Sequence, residues 1–382
     1  MGCETVKIPA AGTPLWSRYA HQFPVRENLL YLNHAAVAPL PRVTADAIKH
    51  LADDALHWGS LHYREWLDVY DGLRVAAAKL IHATTAEIAL VKNTSEGIAM
   101  AAMGIDWRPG DRIVGFTEEF PANLYPWKRL EAKGVEVTWL SVNDPLEKID
   151  EAAKGAKLLA ISYVQFLSGY RAPIQAIGEI CRRNRCLFLL DAIQGMGVFP
   201  IDVRACHIDI LAADGHKWML GPEGCGVMFV DQAVQDRIEP VEFGWTNAAK
   251  YADYSSRDMT PWPDARRYEC GTLNTVGCFG LKASIEFLLE VGTDELAPAV
   301  QALGDRIAAG VQRKGYEILG ERTPQNGAGI VSFRKSDQKP VELVAKLRGL
   351  GIICAPRAGW VRTSPHFYIS PSDIDRFLEA LP

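Results

Sequence analysis

The sequence has no apolar run approaching the roughly 18 residues that a membrane span requires. Its start lacks the basic region, apolar stretch and small-residue cleavage site of a secretory signal, so a cytoplasmic setting is expected. Positive charge is not in excess: the formal balance is −5 at pH 7. That leaves no electrostatic reason to expect nucleic acid as a partner, and the pairs Arg182-Arg183 and Arg266-Arg267 read as solvated surface. The eight cysteines form no CxxC pair and no zinc-ligand spacing, so they read as buried reduced thiols. There is no HExxH, which argues against a metal hydrolase, and no metal site is expected. No GxGxxG follows an early strand, and the glycines of residues 221–226 stand in the wrong order, which argues against a nicotinamide dehydrogenase. Internal repeats and low-complexity linkers are also missing.

What remains is an ordinary globular composition. Of the 382 residues, 48% are hydrophobic and 23% charged, enough for a substantial core. At about 150 residues per domain, two or three domains are expected. From about residue 83 short apolar runs alternate with helical stretches. Residues 113–116, 135–142, 157–163, 186–190, 208–213 and 226–230 read as strands, and 43–56, 95–103, 125–133 and 174–184 as helices. Such alternation implies an α/β fold whose mostly parallel sheet is covered on both faces. In such sheets ligands gather at the carboxyl ends of the strands. After the Pro-rich stretch 258–264 the pattern changes to long helices over 276–290 and 296–314, strands near 329–334 and 351–353, and a last helix over 372–381. This reads as a smaller α+β domain. The expected division is residues 31–265 for the large domain and 266–382 for the small one, with 1–30 packing against the latter.

Four segments carry side chains suited to chemistry. Asp191 follows the run Cys186-Leu187-Phe188-Leu189-Leu190, which places a carboxylate at the end of a buried strand; turn-capping and ligand-binding readings fit it equally. Gln194 lies three residues on. A second apolar run delivers Asp214-Gly215-His216-Lys217-Trp218, and Lys217 reads either as a surface lysine or as a desolvated amine that loses its proton readily. Thr94 and Ser95 open a helix, where they serve as caps or as part of a phosphate cradle. Phe120 follows a strand, in the core or stacked on a flat heterocycle. Pyridoxal 5′-phosphate needs this set: a lysine for its aldehyde, a carboxylate for its pyridine nitrogen, a phosphate cradle and a ring cover.

The segments Tyr31–Ala36, Asn93–Gly97, Leu190–Gln194, Gly215–Trp218 and Glu269–Asn274, with Arg362–Tyr368, resemble the class V aminotransferase family in order. That family includes cysteine desulfurases, selenocysteine lyases, isopenicillin N epimerase-like enzymes and kynureninase. The resemblance implies fold type I of the pyridoxal phosphate-dependent transferases, with a seven-stranded large-domain sheet, and a homodimer sharing its active sites. It gives Lys217 the Schiff base, Asp191 the pyridine nitrogen and Gln194 the ring hydroxyl. Thr94, Ser95 and His216 would hold the phosphate, with Thr272 reaching it from the partner subunit. Phe120 would cover the ring. Arg362, with Asn33 and His34, would bind an amino acid substrate. Two departures stand out. Desulfurases carry a nucleophilic cysteine on a mobile loop just upstream of the arginine, and here only Pro356-Arg357-Ala358-Gly359-Trp360-Val361 precede Arg362, with Cys354 too early and too buried. Asp214 also stands where relatives often have a phosphate-binding Ser or Thr. The expected activity is bond breaking at Cα or Cβ of an amino acid through an external aldimine, as a C–S lyase or epimerase-like enzyme. The alternatives are an aminotransferase and, with the cysteine loop missing, a desulfurase.

Overall fold

A computed structural model describes residues 12–382; the part of the expected N-terminal segment in residues 1–11 lies outside it. Along the chain come β1 (Leu30–Tyr31), β2 (Ile88–Val91), β3 (Arg112–Phe116), β4 (Glu136–Leu140), β5 (Leu158–Ser162), β6 (Leu187–Asp191), β7 (Ile210–Asp214) and β8 (Gly226–Val230). Strands β2 to β8 form one seven-stranded sheet in the order β2-β8-β7-β6-β5-β3-β4, and β8 alone runs against its neighbours. This is the mostly parallel sheet expected from the alternating pattern. Its central strands are buried along their whole length, because helices cover both faces.

Alternate residues feed two cores. Leu159, Ile161, Phe188 and Leu190 pack into the larger cluster, and Leu158, Ala160, Leu187 and Leu189 into the second, as the period-2 geometry of a strand demands. The helix Ile174–Asn184 lays Ile174, Ile177 and Ile180 on the first face. The helix Thr94–Gly104 lays Ile98, Met100, Ala101 and Ala102 on the second. Each of the larger side chains contributes roughly 1.5–3 kcal/mol by leaving water.

The later strands are β9 (Glu317–Ile318), β10 (Val331–Arg334), β11 (Ile352–Ile353), β12 (Ala355–Arg357) and β13 (Trp360–Thr363). Four of them make an antiparallel sheet, β12-β13-β10-β9, while β11 pairs in parallel with β1. Near β1, Tyr19 and Phe23 lie against Phe287 and Phe367, and Phe23 stacks on Tyr368 at 3.8 Å.

Several elements escape the sequence pattern. The helix Tyr63–Leu80 buries Leu73 and Leu80 among small residues, Ala76, Ala77 and Ala78. Its Gly72 leaves room for the stem of Lys282, which a Cβ would meet at 2.5 Å. The helices Leu146–Ala153 and Pro340–Gly349 and the strands β2, β12 and β13 are short, between 3 and 10 residues. The stretch expected as a helix over 125–133 is α-helical only over Tyr125–Leu130 and tightens to a 3₁₀ turn over Glu131–Lys133.

Candidate active site

The carboxyl ends of β5, β6 and β7 carry Ser162, Asp191 and Asp214. Ser162 stands opposite Asp191 in register, and Asp191 opposite Ala212. Strand parity therefore turns Ser162, Asp191 and Asp214 to one face, the face covered by the helix Thr94–Gly104. That helix comes close because Gly97 has no side chain: a Cβ there would lie 2.8 Å from the Ala212 Cβ. The approach sets Thr94 Oγ1 to accept the backbone N–H of Asp214 at 2.9 Å. The N-cap is Asn93, which accepts from Glu96 N–H at 2.9 Å, so neither Thr94 nor Ser95 is the cap. Their hydroxyls are thus available at a helix start suited to an anion.

These groups surround a cavity of about 460 Å³, lined by Thr94, Ser95, Phe120 and Asp191. Gln194, His216, Lys217 and Arg362 complete the set expected from the sequence that the structure brings together. Lys217 follows β7 in a turn closed by Leu220 N–H to Lys217 O and Gly221 N–H to Gly215 O. Burial pulls its pKa down to about 8, while the Asp191 carboxylate pulls it upward and Arg362 downward. Its Nζ lies 5.7 Å from the centre of the Phe120 ring, which is 46% exposed. Asp191 is fully enclosed, and desolvation raises its pKa to about 6. Among the described residues its carboxylate has one hydrogen bond, from Ile193 N–H at 3.1 Å.

Gln194 is clamped at both ends, donating to Ala35 O at 3.1 Å and accepting from Trp218 Nε1 at 2.7 Å. Arg362, on β13, donates to Phe166 O at 2.8 Å. Its Nε is buried without a hydrogen-bond partner among the described residues, and burial lowers its pKa to about 10. Arg357 lines the same cavity.

Three expected residues fall elsewhere. His34 does not line the cavity: it is fully buried, with Nδ1 2.8 Å from Ser364 O and Nε2 2.7 Å from Tyr368 Oη. Desolvation lowers its pKa to about 4, as for a neutral core histidine. Asn33 also stays outside the lining, bridged to Ser364. Thr272 borders a separate cavity beside Trp245 and Tyr254, away from Lys217 of its own chain. Conversely, Ser162, Phe166 and Glu223 line the site without having stood out in the sequence. Ser162 had one usable signal, its place at the end of an apolar run. Its hydroxyl donates to Glu119, whose other oxygen accepts from Ser162 N–H at 2.7 Å and Gln165 Nε2 at 2.8 Å.

The residues present fit pyridoxal phosphate. An enclosed carboxylate with spare acceptor capacity, an amine of lowered pKa, an exposed aromatic face and a helix start with hydroxyls able to donate share one cavity of suitable size.

Comparison with known proteins agrees with this geometry. The family model described as aminotransferase class-V matches residues 30–377. A probable cysteine desulfurase of Pyrococcus abyssi is 28% identical, covering 94% of this chain and 94% of the relative. A second, from Halalkalibacterium halodurans, is 31% identical over 92% of each. The apo structure of a cysteine desulfurase from Thermococcus onnurineus superimposes with a TM-score of 0.86 at 26% identity, covering 93% of this chain and 94% of the other.

Proposed function

Because the chain belongs to the class V aminotransferase family and is a pyridoxal phosphate-dependent enzyme, we propose that it is a lyase breaking the Cβ–S bond of a sulfur-bearing amino acid. When bound, the cofactor supplies a protonated ring that withdraws electrons from the substrate's Cα. Asp191 would hold the proton of the ring nitrogen, and Lys217 Nζ would hold the cofactor's aldehyde carbon. Thr94, Ser95 and His216 would hold the phosphate, with Gln194 near the ring hydroxyl and Phe120 as the ring cover. Arg362 takes the substrate carboxylate with its guanidinium fork, helped by Arg357. Lys217, with its pKa near neutrality, removes the Cα proton as general base. The electron pair of that bond forms a Cα–Cβ double bond, and the sulfur leaves with its bonding pair and takes up a proton.

One observation carries this choice over desulfuration. Strands β12 and β13 form a hairpin whose register pairs Arg357 with Trp360, leaving only Ala358 and Gly359 in the turn. No loop stands between them to carry a thiol over Lys217. None of the seven described cysteines lines the cavity, and burial pushes Cys354 up to about 12. The wall made by Phe120 and Phe166, whose rings meet edge-on at 5.3 Å, offers no proton donor, which favours elimination over epimerisation. Incubation with cysteine and cystine is expected to yield pyruvate and ammonia. Alanine together with persulfide on Cys354 would show desulfuration instead. Inversion at Cα without pyruvate marks an epimerase, and a keto acid formed with an amino-acceptor marks a transaminase.

We also propose the homodimer and the division into residues 31–265 and 266–382. The exposed Leu56, Trp58, Leu61 and Tyr63 support the first, and the separate antiparallel sheet β12-β13-β10-β9 the second. No described helix is long and apolar enough to cross a membrane. The free thiols of the described cysteines support a cytoplasmic setting as part of the same proposal.

A further inference from the structure

Asp214 and His216 stand together at the phosphate end of the cavity. Asp214 Oδ2 lies 3.0 Å from His216 Nδ1, yet the two are not aligned as a hydrogen bond. Both His216 Nδ1 and Asp214 Oδ1 are buried without a hydrogen-bond partner among the described residues. The backbone that carries this carboxylate is pinned. Its backbone N–H is held by Thr94 Oγ1 at 2.9 Å, and Gly226 of the neighbouring strand packs so close that a Cβ there would lie 2.8 Å from the Asp214 Cα. An uncompensated carboxylate in that place would repel a phosphate. A histidine beside it changes the sum.

We propose that Asp214 is a positioning residue for His216. Its carboxylate accepts the Nδ1–H, turning Nε2 toward the phosphate, and His216 grips that phosphate as an imidazolium. With a neutral ring, the Asp214–His216 pair carries one negative charge and presents the Nε2 lone pair to an anion. With a protonated ring the pair is neutral and presents an N–H donor. Binding of the phosphate group therefore takes up one proton. The carboxylate thus acts on the phosphate through the histidine. The other charged groups lining the cavity are Lys217, Arg357 and Arg362, which favour an anion, and Asp191 and Glu223, which oppose one.

The proposal rests on the assignment of this cavity to the cofactor, and one experiment separates the two. The full-length protein, stripped of cofactor, is titrated calorimetrically near pH 8 with pyridoxal phosphate, pyridoxal and inorganic phosphate, in buffers of different ionisation enthalpy. Pyridoxal phosphate is expected to take up about one proton more than pyridoxal, and inorganic phosphate to take up a proton as well. Asp214→Asn should lose that uptake and bind pyridoxal phosphate about tenfold more weakly, as a charge-assisted bond becomes a neutral one, with pyridoxal affinity unchanged. Asp214→Ser should bind without uptake. Equal proton counts for pyridoxal phosphate and pyridoxal in the wild-type protein would overturn the proposal, whatever the variants do. So would an Asp214→Asn protein indistinguishable from wild type. No binding of pyridoxal phosphate at all would instead overturn the assignment of the cavity.

Discussion

Arg362 is the residue whose loss should separate substrate binding from cofactor binding. Its fork is already half committed to Phe166 O, so the rest is free for a carboxylate. Replacing it by Ala is expected to raise KM by roughly 10- to 100-fold, the worth of a charge-assisted hydrogen bond, with the cofactor absorbance unchanged. A KM within twofold of wild type would remove Arg362 from the substrate site. Glu119 makes a different kind of prediction, one of stability. Desolvation raises its pKa from 4.5 to about 7 against the hydrogen bonds of Ser162. A carboxyl group whose folded pKa lies above its unfolded value contributes stability that is complete below about pH 4.5 and lost as pH rises through about 7. Unfolding free energy should therefore fall across that window by roughly 3 kcal/mol, and Glu119→Gln should flatten the profile. Urea titrations at pH 5 and pH 8 test it. The sequence did not single out Glu119, because its partners Ser162 and Gln165 are 43 and 46 residues away. Asp191 and Lys217 were legible because each follows its own apolar run. The burial of His34 was illegible for the reason Glu119 was passed over: its partners Ser364 and Tyr368 come from the other end of the chain.

Among the elements, the β12–β13 hairpin and the helix Tyr63–Leu80 carry the clearest mechanical consequences. Ala358 and Gly359 sit in the hairpin turn at φ +44° and +83°, the backbone that such two-residue turns need and that L-residues other than Asn and Asp disfavour. Ala358→Asn is expected to stabilise the protein by about 0.5–1 kcal/mol, read as a higher denaturation midpoint; a lower midpoint would contradict the turn geometry. The helix Tyr63–Leu80 is pinned by Arg74, whose Nη2 meets Glu269 Oε2 at 2.5 Å with both side chains buried. Glu269 also accepts Leu90 N–H of β2 at 2.9 Å, which gives this member of the Glu269–Asn274 motif a structural task. Arg74→Met leaves that carboxylate buried and unpaired, so a loss of about 3–5 kcal/mol is expected in urea unfolding. A loss below 1 kcal/mol would show that Glu269 finds water instead. The helix Ile174–Asn184 was placed from sequence to the residue. The helix Tyr63–Leu80 was not placed: its contacts run through Ala76, Ala77 and Ala78, which pack closely without the large side chains that mark a buried stripe.

At the scale of the whole molecule, the large sheet could be anticipated, while the way its ends are covered could not. The helix Thr275–Val291 buries Leu281, Ile285 and Leu288 in the same core as the helix Ile174–Asn184. Continuity of that core across the proposed domain boundary means the two parts are expected to unfold together in a single calorimetric transition. The exposed Leu56, Trp58, Leu61 and Tyr63 lie at the junction of the helices Arg42–Trp58 and Tyr63–Leu80, and an apolar patch of this kind marks a contact surface. Light scattering at micromolar concentration should give twice the chain mass of 42.1 kDa, and Leu61→Glu should shift it toward the monomer; a wild-type monomer would refute the shared site.

The register of β6 and β7 also acts as a ruler. Asp191 faces Ala212, and Asp214 lies two residues further along the adjacent strand. With strands about 4.8 Å apart and a rise of about 3.3 Å per residue, the two backbone positions are separated on the diagonal by roughly 8 Å. That length, set by peptide hydrogen bonds and not by side-chain packing, fixes the spacing of the backbone positions that carry the carboxylate proposed for the ring and the one proposed for the phosphate end. Surface loops can therefore diverge in length and composition without altering the size of the molecule that bridges those two points.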